Sequence, residues 1–181
     1  MPTFLSGLPL HPLVVHAVVV LVPCAVVGAL AVALSPLARR RWGWPVVTLT
    51  ALAALSVPLA TSTGEGLEHN LPRTPAIATH AELGDQLLVF VAPLLIVVLG
   101  LVLVERRTSA TARADGPGTA VVPRLAGGRV RLAIVVLAVL TVAFAGASAV
   151  QVVRIGDSGA RAVWGGVTFA PQPRPSGAPQ G

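Results

Sequence analysis

Four apolar blocks, at about residues 13–34, 45–63, 83–104 and 132–153, dominate the chain, and the stretches between them collect arginine, glycine, proline and hydroxyl residues. A helix crosses the hydrocarbon core of a bilayer with about 20 apolar residues, and each block is near that length. None shows the alternation of a membrane β-barrel strand, so the pattern predicts four membrane-spanning helices. Pro23, Pro58 and Pro93 fall inside the blocks. Membrane helices tolerate this because neighbouring groups satisfy the freed carbonyls. The expected fold is an all-α, four-transmembrane-helix bundle formed by residues 1–168. The tail at 169–181, "APQPRPSGAPQG" with the residue before it, is Pro/Gly-rich and expected to be disordered. The segment "ERRTSATARADGPGTAVVPRLAGGR" between the third and fourth blocks has no clear period and reads as a flexible loop. No internal repeat is legible.

Composition strengthens this reading. Hydrophobic residues make up 54% of the 181 positions and charged residues 11%, with a mean hydropathy of +0.81. A soluble domain carries about 25% charged residues. All thirteen basic residues are arginine, and with abundant Ala, Val, Gly and Pro this suggests a GC-rich bacterial genome. The net charge of +6 does not point to nucleic acid, because most arginines flank the apolar blocks. Arg39, Arg40, Arg41, Arg106, Arg107, Arg113, Arg124, Arg129 and Arg131 fall on one side. Only Arg73, Arg154, Arg161 and Arg174 fall on the other. The positive-inside rule places the nine in the cytoplasm and both termini outside a bacterial inner membrane. Trp42 and Trp44 stand beside the arginines, where an interfacial aromatic belt is expected. Nothing before Leu13 is charged, so a retained helix is expected rather than a signal peptide. The single cysteine, Cys24, excludes an intrachain disulfide or a CxxC site.

With that topology, all four histidines (His11, His16, His69 and His80) and the acids Glu65, Glu68, Glu82, Asp85 and Asp157 lie on the outer side. His11 precedes Pro12 and is expected to be extended. His69 lies in a polar loop. His80 heads the third span, whether the helix starts at Thr79 with Glu82 closing a capping box or at Thr74 with Pro75 in its first position. His16 lies inside "LVVHAVVVLV", and an ionisable side chain within a span is a functional candidate. His16 and His80 are therefore expected to face a common pocket, as axial ligands of a b-type haem. The other expectation is a single transition-metal ion held by His11, His16, His80 and Asp157. Glu82 or Asp85, Asp157, or a backbone carbonyl would orient the second ring nitrogens. The competing reading has no cofactor: a membrane scaffold or transport-related subunit whose histidines pack or respond to protons. The segment "VRIGDSGARAVWGG" reads as a turn or a lid over the histidines. No GxSxG, HExxH or P-loop is present, so no hydrolytic enzyme is indicated. The expected surroundings are the lipid bilayer and an unidentified redox or membrane partner.

"LHPLVVH" (10–16), "HAELG" (80–84) and "GDSGARAVW" (156–164) together resemble the bacterial membrane-protein family catalogued as domain of unknown function 2231. The likeness covers roughly residues 5–168 and implies the four-span layout. The family usually has an aromatic residue where this chain has Ala17, and often a histidine where it has Asp157. Aspartate is a poor haem ligand. Some relatives share the layout of four-helix b-type cytochromes, an analogy of fold alone.

Overall fold

A computed structural model describes residues 4–5, 8–72, 74–114 and 124–167, with side chains described for 10–72, 74–110 and 127–167. The expected tail at 169–181 and the centre of the loop between the last two spans lie outside these residues. A two-residue antiparallel pairing, β1 (Phe4–Leu5) with β2 (Leu8–Pro9), precedes four helices. These are α1 (Leu10–Leu34), α2 (Pro36–Glu68), α3 (Pro75–Ala114) and α4 (Arg124–Trp164). All four are long and apolar enough to cross a membrane.

The helices are longer than the apolar blocks, and local chemistry explains each extension. Pro12 lies in the first turn of α1, where a missing N–H costs nothing, so His11 is helical rather than extended. Ser35 ends α1 and also caps α2: its Oγ accepts from Ala38 N at 3.2 Å, with Pro36 in the first helical position. The segment "RRRWGW" is thus the opening of α2. Thr74, with Pro75 after it, starts α3 and accepts from Ile77 N at 3.3 Å, so Glu82 closes no capping box. Much of the expected loop at 105–129 is helical. Arg106, Arg107, Ala110, Ala112, Arg113 and Ala114 are strong helix formers that carry α3 past its apolar block. The expected turn at Gly156–Gly159 is likewise helical, because α4 runs through it to Trp164.

Each helix packs against its two sequence or closing neighbours, and α1 and α3 face each other across the diagonal. The core runs along the bundle axis through Val22, Ala29, Val57, Leu94 and Val98. Cys24 lies on an exposed face of α1.

The burial pattern contains a repeat. His11 and His80 are 69 residues apart, and the same shift carries Val18, Val22, Ala25, Ala29, Val32 and Ala33 onto Leu87, Val91, Leu94, Val98, Leu101 and Val102, all buried. In the other two helices, a shift of 95 carries buried Val46, Thr50, Ala53, Ser56 and Thr63 onto buried Thr141, Ala145, Ser148, Gln151 and Ser158. The bundle is therefore two equivalent helical hairpins, α1–α2 and α3–α4. Since α1 and α3 run in the same direction, the approximate two-fold axis lies along the bundle.

Candidate functional site

That axis brings His11 and His80 together. Their ring centroids are 6.5 Å apart, with planes at 82°. Each ring heads the inward stripe of its helix, seven residues before the first buried aliphatic of that stripe, Val18 or Leu87.

The two rings are held in the same way. His11 Nδ1 lies 3.0 Å from Ala60 O and 3.4 Å from Thr63 Oγ1. His80 Nδ1 lies 3.2 Å from Ile155 O and 3.1 Å from Ser158 Oγ. A carbonyl only accepts, so each Nδ1 carries a proton, and in a neutral ring the lone pair then sits on Nε2. The hydroxyl protons are already engaged: Thr63 and Ser158 donate to those same carbonyls, each at 2.9 Å. Both hydroxyl oxygens are thus free to accept from Nδ1. One residue further on lies a glycine. A Cβ on Gly64 would stand 3.0 Å from His11 Cε1, and one on Gly159 would stand 3.0 Å from His80 Cε1. The absent side chains let each ring lie against the neighbouring helix backbone.

The other candidates lie elsewhere. His16 is exposed, and its Nδ1 bonds Pro12 O of its own helix. It follows His11 by five residues, which turns it roughly 140° around the helix, off the inward stripe. Asp157 is exposed and pairs with Arg161 at 2.8 Å. Glu82 and Asp85 are exposed on α3. The groups that orient the rings are backbone carbonyls, not these carboxylates. His69 caps α2, with its Nδ1 2.7 Å from Glu65 O. Among the described residues, no three His, Cys, Asp or Glu side chains come together in a group able to hold a metal ion.

The family described as predicted membrane protein (DUF2231) matches residues 7–169. The chain belongs to this family. Neither a curated protein nor a solved structure matches it. Membership makes the chain a DUF2231 membrane protein and leaves its activity to be argued from the site. The match covers both halves of the histidine pair.

Ala60, Thr63, Gly64 and Ile155 carry no mark in the sequence, and Ser158 and Gly159 stand out only as part of the GDSGARAVW stretch. The available signal is a shared spacing: a small or aliphatic residue, then a hydroxyl three positions on and glycine at the fourth. It becomes visible only when α2 is laid on α4.

The opposite end of this DUF2231 bundle is built differently. Arg39 is 4% exposed. Its Nε donates to Val32 O at 2.8 Å and its Nη2 to Ala33 O at 2.9 Å, covering carbonyls at the end of α1. Glu105, also buried, accepts from Arg39 Nη1 at 3.4 Å and from Arg40 Nε at 2.7 Å. One carboxylate on α3 thus ties down the start of α2, and through Arg39 the end of α1.

Proposed function

We propose that His11 and His80 would hold a b-type haem and that the protein carries electrons at the histidine end of the bundle. The observation that carries this reading is the matched pair of rings. With 6.5 Å between ring centres, the two rings stand close enough that both could hold one metal through a ring nitrogen. Both Nδ1 protons are spent on carbonyls, which leaves Nε2 of each ring as the donor atom. A bare zinc-type site needs three or four protein ligands, whereas a haem iron needs only two, since the porphyrin supplies the rest. The donor set therefore fits haem better than a lone ion. Gly64 and Gly159 give the two rings room against their helices. When bound, the haem would supply one-electron chemistry, with potential set by its axial ligands and their hydrogen bonds. Thr63, Ser158 and the two carbonyls would hold the protons on Nδ1. The excess of arginine at the other end supports a cytoplasmic placement of that end, with the termini and the histidines outside.

Rings at this separation and angle also suit plain edge-to-face packing, which favours the cofactor-free scaffold as the second reading. The full-length protein, purified from membranes and reduced, decides between them. The haem reading expects the sharp visible bands of a six-coordinate b-type centre. They should be lost in His11→Ala and in His80→Ala and kept in His16→Ala and His69→Ala. Protein free of visible bands, or bands that survive His11→Ala, would leave the scaffold reading standing.

A further inference from the structure

The arginine end carries a second feature, on its flank. Arg40 and Trp44 are four residues apart on α2 and so share one face of it. On α3, Glu105 holds Arg40 through Nε at 2.7 Å, and the next residue, Arg106, sets its guanidinium 5.8 Å from the centre of the Trp44 ring. Two arginines and an indole from two helices therefore meet on the α2–α3 seam. Arg40 is anchored at Nε, with its side chain 66% exposed. Arg106 is exposed, and Trp44 is 41% exposed. Only one acid, Glu105, stands among the described residues of this end, against Arg39, Arg40, Arg41, Arg106, Arg107, Arg129 and Arg131.

Helical periodicity continues the seam as an apolar strip. From Arg40 and Trp44 the same side of α2 leads to Leu55, which is 63% exposed. From Arg106 the same side of α3 leads to Leu103, 37% exposed, and to the half-buried Leu99. Positive charge, then an indole, then an open aliphatic strip along the membrane-spanning region is the complement of a phosphate headgroup with an acyl chain below it. A planar guanidinium binds phosphate oxygens in pairs, and tryptophan favours the headgroup level.

We propose that the α2–α3 seam binds an anionic phospholipid, with Arg40 and Arg106 on its phosphate, Trp44 at its glycerol level and one acyl chain along Leu55, Leu99 and Leu103. The lipid then bridges the two hairpins of the bundle at the end away from the histidines. The inference is independent of whether the histidines hold haem.

The test uses the full chain in nanodiscs of phosphatidylcholine alone or with phosphatidylglycerol, read by thermal unfolding and by native mass spectrometry of retained lipid. Phosphatidylglycerol should raise the unfolding midpoint and remain bound. Arg106→Gln and Trp44→Leu should each lower its retention several-fold, while the α4 double change Arg129→Gln, Arg131→Gln should leave it in place. If Arg106→Gln does not accumulate in membranes, Trp44→Leu and the wild-type lipid comparison carry the test. Equal retention of phosphatidylcholine would overturn the proposal, and so would equal loss in the α4 variant, which would mean diffuse charge rather than a site. Equal stabilisation of detergent-solubilised protein by inorganic phosphate would overturn the lipid as the ligand.

Discussion

The two ends of the bundle solve the same problem in opposite ways. At the histidine end, each hairpin contributes one imidazole ring, one carbonyl, one hydroxyl and one glycine, placed alike about a common axis. At the arginine end the charged groups have no counterpart across the axis. The shift that maps α2 onto α4 carries Arg39 onto Ile134, and the one that maps α1 onto α3 carries Pro36 onto Glu105. A single buried carboxylate there gathers three helices by charge. Symmetric, mutually facing groups suit a ligand with two faces. An asymmetric ion cluster, with one partner serving two arginines, suits a lock. On the haem reading the histidine end carries the cofactor, while the buried ion cluster at the other end carries stability, so substitutions should separate the two.

The largest effect is expected at the lock. Removing one partner of a buried ion pair leaves the other charge without compensation and costs about 3–5 kcal/mol. Glu105→Ala should therefore lower unfolding stability by that order, measured by denaturation in mild detergent, and should reduce accumulation in membranes. A loss no larger than that of an exposed change such as Arg129→Ala would remove the distinction between the ends.

The next expectation tests the symmetry itself. Gly64→Val and Gly159→Val push a side chain into His11 and His80 respectively, each at the 3.0 Å approach. Overpacking of this kind costs about 1–3 kcal/mol. The two variants should lose similar amounts of stability and both should disturb the visible bands. A large effect at one glycine and none at the other would show that the hairpins are equivalent in shape but not in use. Smaller still, Thr63→Ala and Ser158→Ala each remove one acceptor from an Nδ1 that keeps its carbonyl. About 1 kcal/mol or less is expected from each, again in matching amounts. His16→Ala, on the outward face of α1, should change neither stability nor spectrum.

Much of the fold was readable from hydropathy alone, because a bilayer forces each 20-residue apolar block into a helix. Helix ends were harder. The cap Ser35 and the prolines at 12, 36 and 75 extend helices beyond the apolar blocks into polar sequence. The site was half readable. Histidines at one end of two parallel spans suggested a shared centre, but the partner of His80 is His11, not His16. The reason is physical. Lipid is as apolar as a bundle core, so α1 is aliphatic on every side and its composition does not mark which face turns inward. His16 stands out because its neighbours are all apolar, yet those neighbours include the lipid-facing Val19 and Val20, exposed by 52% and 60%. The inward phase is set by packing with α2 and α4, and once Val18, Val22, Ala25 and Ala29 are known to be buried, His11 falls into line with them. The repeat was hidden for a related reason. Ala60 answers to Ile155 and Ser56 to Gln151, so position is preserved where residue identity is not.

The central claim, that two matched imidazoles share one haem iron on the axis between the hairpins, is tested most directly by low-temperature electron paramagnetic resonance of the oxidised full-length protein. If both rings held one haem iron, the oxidised protein should give a low-spin ferric signal. It should disappear in His11→Ala and in His80→Ala and persist in His16→Ala. A wild-type protein with no low-spin ferric signal, or a signal that survives loss of either His11 or His80, would contradict it.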